Sequence, residues 1–162
     1  MLYLASRAIE PNRGHAAGRE LLTEVYRVHT GRELPPIRVT DRGKPCFEGD
    51  ALHFSISHTK GHVFVALSDR PIGIDAEERG RKIRLELAEK VLSPAEKERY
   101  DAAADKRAAL LRLWVLKEAW VKFTGDGLRG YPNHTDFSPD DPRVFVKDGC
   151  YVAVIEEDEY AV

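Results

Sequence analysis

The sequence predicts an α+β protein made of two similar halves, each with a small antiparallel sheet and one long packed helix. In residues 1–75, the hydrophobic pattern predicts a strand, then a helix, then further strands. In residues 76–162, it predicts helices followed by a strand hairpin. A length of 162 residues with 43% hydrophobic residues is enough for one compact unit with a real core. We therefore expect an N-terminal lobe at 1–75 and a C-terminal lobe at 76–162 that act together, although the sequence holds no literal repeat.

In the first half, apolar residues recur at helical spacing over Gly18–Thr30, and Gly31 is placed to end that helix. Arg42–Pro45 reads as a turn because glycine and proline stand together in it. Alternating or short apolar runs predict four strands in this half, at Leu2–Ala5, Ile37–Val39, His53–His58 and Val63–Leu67.

An acidic strand crosses the boundary between the halves, and two helices follow it in the second half. Ile72–Glu77 has strand alternation, and Ser93-Pro94-Ala95-Glu96 has the sequence of a capping box with proline at the first helical position. The helix Lys106–Thr124 is apolar around most of its circumference, which predicts packing on several sides. Gly125-Asp126-Gly127 is expected to end it. A closing hairpin is predicted from Val144–Lys147 and Tyr151–Ile155 across Asp148-Gly149.

The candidate site combines the acidic strand with the apolar helix. The period of two along a strand places Asp75 and Glu77 on one face, and Glu118 and Lys122 are four residues apart on the helix. Carboxylate oxygens held by two rigid elements suit a magnesium ion, and a lysine beside them suits a phosphate that the ion bridges. Charges in an apolar helix, including Lys117, also need partners or solvent. The pattern indicates transfer or hydrolysis of a phosphate group.

Each candidate also has an ordinary structural interpretation. Asp75 and Glu77 could be the solvated end of an edge strand. Glu118 and Lys122 could form a common helix-surface pair worth a few tenths of a kcal/mol. Glu96 is already explained by the capping box.

Composition and charge narrow the class of protein. The formal net charge is −2, and Lys and Arg are not clustered with aromatic residues. Both observations argue against a protein that binds nucleic acid. The N-terminal residues lack the basic start and apolar run of a signal peptide, and no apolar stretch has the length of a membrane span. Cys46 and Cys150 are isolated, which is typical of reduced thiols. We expect a cytoplasmic protein without a membrane or nucleic-acid partner.

Several motifs, taken in order, resemble the 4′-phosphopantetheinyl transferases of the surfactin-synthetase type. Any one motif is weak, but their order and spacing match over roughly residues 19 to 128. The motifs are Gly43–Cys46, His53–His58, Ile72–Glu77, Val91–Glu96, Trp114–Ala119 with Lys122, and Gly125–Leu128.

The resemblance implies a fold, an activity and partners. It implies two lobes in a pseudo-two-fold arrangement with coenzyme A in the cleft between them. The implied reaction transfers the 4′-phosphopantetheine group from coenzyme A to a serine of an acyl or peptidyl carrier protein, with Mg²⁺ (or Mn²⁺), and releases 3′,5′-adenosine bisphosphate. Two lobes in one chain supply the cleft that a one-lobe relative would build by oligomerising, so a monomer is expected.

The resemblance also implies roles for individual residues. Asp75, Glu77 and Glu118 match the metal ligands, and Lys122 matches the lysine on the phosphate under attack. Glu118, or Glu96 through a water molecule, is the candidate base for the incoming serine. The residues matched to coenzyme A are Lys44 and Pro45 beside the adenine, His58 on the 3′-phosphate with its neighbour Ser57, and Arg19 as a further basic contact.

Two other classes of function remain open from the sequence. A magnesium-dependent phosphohydrolase or nuclease would use the same carboxylates with water and would need no carrier protein. A non-catalytic module for binding coenzyme A or a carrier protein would keep the fold without the transfer. The sequence does not indicate which carrier protein is served.

Overall fold

A computed structural model describes residues 1–126 and 135–158. Every helix and strand expected from the sequence is present, and the α+β class is confirmed. The structure adds a short strand at Pro45–Phe47, a short helix at Ala88–Val91 and a 3-10 turn at Leu85–Leu87. In chain order the elements are β1 (Leu2–Ala8), α1 (Gly14–Thr30), β2 (Ile37–Val39), β3 (Pro45–Phe47), β4 (His53–His58), β5 (His62–Ser68), β6 (Ile72–Glu78), α2 (Ala88–Val91), α3 (Pro94–Ala102), α4 (Lys106–Thr124), β7 (Val144–Lys147) and β8 (Cys150–Glu156).

The first half is an antiparallel sheet covered by α1. The strand order is β1-β5-β4, and β2 pairs separately with β3. Leu22 and Tyr26 of α1 are almost fully buried in one apolar cluster with Val63, Val65 and Leu67 of β5. The amphipathic face of α1 is therefore the cover of this sheet.

The second half is a sheet with the order β6-β8-β7, covered by α4. The β7–β8 turn has positive φ at both central residues, 52° at Asp148 and 74° at Gly149. These dihedrals are those of the tight hairpin turn that Asp-Gly favours, so this prediction is confirmed in detail. The core of the half surrounds Leu110, Leu113 and Leu116 of α4, which are fully buried.

Helix α4 follows its predicted bounds, and Gly125 ends it in the left-handed conformation. Gly127, which we expected to contribute to this stop, and Leu128 of the last motif lie outside the described residues. Among the helices that the structure describes, none has the length and apolar character needed to cross a bilayer.

The two sheets are joined by serine hydroxyls rather than by a shared strand ladder. β6 is an edge strand, and two of its outward N–H groups donate to β4: Ile74 to Ser55 Oγ and Ala76 to Ser57 Oγ, both at 3.0 Å. The hydroxyls satisfy backbone donors that would otherwise be buried without partners. The predicted boundary between residues 75 and 76 falls inside β6, whose ladder partner is β8.

Candidate active site

Helix α4 lies directly against β6 at Gly73. A Cβ atom at this position would overlap the carbonyl oxygen of Ala119 and the backbone nitrogen of Phe123. Only glycine lets a helix backbone approach a strand this closely. The contact brings the last turn of α4, which carries Lys122, to the level of Asp75.

The ammonium group of Lys122 occupies the junction of the two halves. Its Nζ donates to the carbonyl oxygens of Ile74 at 3.0 Å and Ile56 at 3.2 Å, and it pairs with Asp75 Oδ1 at 3.1 Å. The Lys122 side chain is 33% exposed, so the charge is held by protein groups while part of it still faces solvent.

Asp75 is buried, and within the described residues only one of its two carboxylate oxygens has hydrogen-bond partners. Its Oδ1 accepts from Lys122 and from Ser57 Oγ at 3.2 Å, whereas its buried Oδ2 has no hydrogen-bond partner among residues 1–126 and 135–158. Burial raises the pKa of Asp75 above its ordinary value, although Lys122 and Ser57 act in the opposite direction. An unpartnered buried carboxylate oxygen destabilises the fold, and a bound cation would relieve it.

The other two predicted metal ligands, Glu77 and Glu118, have different surroundings from Asp75. Glu77 is two residues further along β6 and forms an ion pair with Arg81 at 2.5 Å. Burial raises the pKa of Glu77, with Asp75 adding to the effect and Arg81 opposing it. Glu118 is half-buried on α4, one turn before Lys122. In the described part of the chain, no three His, Cys, Asp or Glu residues are grouped as ready-made metal ligands.

Glu96 lies elsewhere, in a fully buried network. Its Oε1 accepts from the Ser93 backbone N–H at 2.9 Å and from Lys117 Nζ at 2.6 Å. Its Oε2 accepts from Thr135 Oγ1 at 2.7 Å and from the Phe137 N–H at 3.0 Å. The predicted capping box is therefore present, and the structure surrounds Glu96 with protein donors rather than placing it beside Asp75.

Lys117 is the buried partner of Glu96, and the sequence did not predict this pair. Both it and Glu96 have side chains that are 0% exposed, and burial lowers the pKa of Lys117 while Glu96 raises it. The signal was a lysine within an apolar helical surface, which needs a buried counter-ion. The identity of that counter-ion, 21 positions earlier, depends on how α3 packs on α4.

A cavity of about 240 Å³ lies beside Lys122 and is lined by both halves. Lys44 and Pro45, the residues matched to the adenine end of coenzyme A in the sequence analysis, form part of its wall. Lys44 Nζ also donates to the Phe123 carbonyl oxygen at 2.8 Å, at the end of α4. Burial lowers the pKa of Lys44. Arg42, from the same turn, pairs with Asp126 at 2.9 Å.

His58 and Arg19 are placed away from that cavity. His58 packs against the start of α1, where a Cβ atom at Gly14 would overlap its imidazole ring. It lines a second cavity, of about 600 Å³, together with Lys60 and His15. Arg19 lies one turn further along α1 and, in the described part of the chain, lines neither cavity. The structure thus groups Asp75, Ser57 and Lys122, and places His58 and Arg19 apart from them.

A buried carboxylate and a lysine, held at the junction of two α+β halves beside a cavity with basic walls, define a candidate enzyme site for phosphate chemistry. Residues 71–149 match the family model described as the 4′-phosphopantetheinyl transferase superfamily. This stretch contains the acidic strand and all of α4.

Curated relatives extend the match toward the N-terminus. The chain is 34% identical to the 4′-phosphopantetheinyl transferase psf-1 of Bacillus pumilus over 122 residues, which is 69% of this chain and 52% of the relative. It is 33% identical to the transferase gsp of Aneurinibacillus migulanus, covering 68% of this chain and 46% of the relative. It is also 33% identical to the transferase HetI of Nostoc sp., covering 74% and 54%.

The chain belongs to the 4′-phosphopantetheinyl transferase superfamily. It spans about half the length of the curated relatives that it matches.

Proposed function

We propose that the protein transfers the 4′-phosphopantetheine group of coenzyme A to a serine of an acyl or peptidyl carrier protein. The serine oxygen bonds to the phosphorus that carries pantetheine, and the bond from that phosphorus to the bridging pyrophosphate oxygen breaks. The electron pair leaves with 3′,5′-adenosine bisphosphate. The reaction depends on magnesium, and the protein works in the cytoplasm as a single chain.

The observation that carries this proposal is the state of Asp75. One of its oxygens is held by Lys122 and Ser57, and the other is buried without a hydrogen-bond partner among the described residues. A group kept in this arrangement weakens the fold, and such strain is typical of functional sites. A structural aspartate at the end of an edge strand would instead be solvated.

Asp75, Glu77 and Glu118 are the residues proposed to hold a hard divalent cation. Asp75, Glu77 and Glu118 offer only carboxylate oxygens, which magnesium and manganese prefer and which zinc sites seldom use alone. The unpartnered Asp75 Oδ2 supplies an oxygen with no competing donor in the described residues. When bound there, the ion would neutralise charge on the pyrophosphate of coenzyme A.

Lys122 is proposed to stabilise the phosphate as it is attacked. Its ammonium is fixed by two carbonyl oxygens and Asp75, so it needs little reorganisation to meet developing negative charge. Glu118, one helical turn away, is the proposed acceptor of the serine proton. Glu96 is less suited to that role because each of its oxygens already accepts two hydrogen bonds in a fully buried site.

Coenzyme A is proposed to lie along the junction of two lobes related by a pseudo-two-fold arrangement. The cavity of about 240 Å³ beside Lys44, Pro45 and Lys122 is smaller than the roughly 300–1,000 Å³ of pockets that enclose drug-sized ligands. It therefore suits one end of the molecule, the adenine. His58 and Arg19 are assigned to the 3′-phosphate, and Ser57 orients Asp75.

A labelling experiment tests the proposal. The protein is incubated with coenzyme A, magnesium and a panel of apo carrier proteins, and the carriers are weighed by mass spectrometry. We expect at least one carrier to gain the phosphopantetheine mass and 3′,5′-adenosine bisphosphate to appear in equal amount. Coenzyme A cleavage without carrier labelling would support a phosphohydrolase instead. Binding of coenzyme A with neither product would support a non-catalytic module.

A further inference from the structure

The last turn of helix α4 is held by a lysine from the other half of the molecule. Lys44 Nζ donates to the Phe123 carbonyl oxygen at 2.8 Å. Phe123 directly follows Lys122, and its carbonyl is one of the last four of α4, which have no N–H partner within the helix. The side chain of Lys44 therefore completes the hydrogen bonding of the helix end that carries Lys122.

The charge of Lys44 is balanced by that helix end. Among the described residues, Lys44 forms no ion pair with a carboxylate, and burial lowers its pKa. A half-buried cation without a partner is unfavourable, whereas the C-terminus of a helix carries a partial negative charge that attracts a cation. The contact with Phe123 therefore stabilises both the ammonium group and the end of α4.

The turn that carries Lys44 is fixed by its own hydrogen bonds. It connects β2 to β3, and the Lys44 N–H donates to Thr40 Oγ1 at 3.0 Å, while the Thr40 N–H donates to the Lys44 carbonyl oxygen at 2.9 Å. Phe47, at the end of β3, is buried in the core of the first half. The first half therefore sets the position of an ammonium group that acts on a helix of the second half.

Gly125 allows the Lys44 side chain to pass close to the helix end. Its φ is 72°, and a Cβ atom there would lie 2.9 Å from Lys44 Cδ and 3.4 Å from Lys44 Cβ. The same turn makes a second contact, between Arg42 and Asp126 at 2.9 Å, but both side chains are exposed, so that pair contributes little. Of the two contacts, that of Lys44 holds the end of α4 more strongly.

Lys122 needs a fixed helix end because its ammonium group is placed among three oxygen atoms. It donates to the carbonyl oxygens of Ile74 and Ile56 and pairs with Asp75. Helix ends fray when their terminal groups lack partners. A displacement of about 1 Å in a group that acts on the substrate can cost on the order of a hundredfold in rate. The Lys44 contact therefore bears on the rate of transfer.

We propose that Lys44 is a positioning residue, which holds the last turn of α4 so that the Lys122 ammonium group keeps its place beside Asp75. This inference rests on the proposed transferase function, and it gives the ammonium group of Lys44 a role separate from the proposed contact with adenine. Loss of a positioning role lowers kcat, whereas loss of an adenine contact raises the KM for coenzyme A.

The test removes the ammonium group and keeps an unbranched side chain. In Lys44→Met, we expect the kcat of transfer to fall about tenfold and the KM for coenzyme A to change by less than about threefold. Saturation curves for coenzyme A measure both constants.

The matched control is Lys106→Met, which also removes a lysine from a helix C-terminus. Lys106 Nζ donates to the carbonyl oxygens of Tyr100 at 3.1 Å and Ala103 at 2.7 Å, at the end of α3. Lys106 is the first residue of α4, about 24 Å along the helix from Lys122. Its loss should leave kcat and the KM for coenzyme A within about twofold of the unmutated values.

Two further measurements separate positioning from a general structural role. In the Lys122→Ala background, Lys44→Met should lower kcat by less than about a further twofold, because its effect acts through Lys122. Amide hydrogen exchange in the last turn of α4, at Val121–Gly125, should be faster in Lys44→Met and unchanged in Lys106→Met. Thermal unfolding checks that each variant is folded, and Lys44→Gln, with the same expectations, replaces Lys44→Met if the latter does not fold.

The outcomes distinguish this inference from the function on which it rests. If the unmutated protein labels no carrier, the transferase proposal fails, and hydrogen exchange then decides whether Lys44 holds the helix end. If it labels a carrier, the inference is wrong when Lys44→Met keeps kcat within about twofold of the unmutated value, or lowers kcat equally in the Lys122→Ala background. Unchanged exchange at the end of α4 in Lys44→Met would also overturn it.

Discussion

Lys122 Nζ lies 3.1 Å from Asp75 Oδ1, so the lysine is already positioned within the site. We expect Lys122→Ala to lower the kcat of transfer by about a hundredfold or more, because the charge it supplies matters most in the transition state. The KM for coenzyme A should change much less. Saturation curves for coenzyme A measure both constants.

His58→Ala is the natural comparison, since its proposed ligand, the 3′-phosphate, is remote from the bond that breaks. This variant should raise the KM for coenzyme A and largely keep kcat. If Lys122→Ala retains the kcat of the unmutated protein, the proposed role of Lys122 is wrong.

Asp75→Asn should raise the free energy of unfolding and lower the transfer activity, and the size of the stability gain should depend on pH. The folded-state pKa of Asp75 is raised by burial, so its ionisation disfavours the folded state. Without metal, Asp75→Asn should therefore have a higher free energy of unfolding than the unmutated protein at neutral pH. The difference should grow as pH rises from the ordinary pKa of aspartate through the raised folded value, and then remain constant.

Urea unfolding in chelator across that pH range measures the difference. The same Asp75→Asn variant should lose transfer activity by about a hundredfold or more, because it removes a carboxylate from the site. A variant less stable than the unmutated protein at every pH would contradict the prediction.

At the scale of elements, the position of α4 on β6 depends on Gly73. Gly73→Ala should reduce the free energy of unfolding by about 2–4 kcal/mol, because the added methyl group meets helix backbone that cannot move aside cheaply. It should also reduce transfer activity in the surviving folded protein, since it shifts Lys122. Denaturant unfolding and labelling assays test the two effects.

Gly61→Ala is the matched control for this substitution. The nearest atom to a Cβ at Gly61 is Glu78 Oε1 at 3.8 Å, an ordinary contact distance. The unfolding free energy of this variant should stay within about 0.5 kcal/mol of the unmutated value. Equal losses in both variants would argue that glycine flexibility, rather than helix approach, explains the Gly73 effect.

The sequence predicted helices and strands well where the hydrophobic pattern and the end signals of an element agree. The bounds of α4 match the prediction because an apolar circumference is bracketed by Asp105 as N-cap and Gly125 as C-cap. β3 was missed because Pro45–Phe47 is short and begins with proline, and its strand character comes only from pairing with β2.

The site was predicted in part for the same reason. The strand and helix periods placed Asp75 and Lys122 on faces that could converge, and the structure shows the two in contact. The roles of Ser55 and Ser57 as acceptors for β6 N–H groups depend on how two sheets meet. The spacing of residues along one sequence does not determine how two sheets pack against each other.

For the whole molecule, we expect activity to depend on a divalent cation. A chelator should abolish carrier labelling, and magnesium or manganese should restore it, because the candidate ligands are all carboxylates. Added magnesium should also raise the melting temperature of the unmutated protein, with no such rise in Asp75→Asn. Full labelling in chelator would contradict the assignment of these residues.

The serine contacts between β4 and β6 have a consequence for the solubility of the chain. If the two halves separated, β6 would present free N–H groups along a strand with the apolar residues Ile72, Ile74 and Ala76. Exposed apolar edges of this kind pair with other chains and begin aggregation. Ser55 and Ser57 cover that edge. We therefore expect the protein to resist self-association as long as β4 and β6 stay in contact.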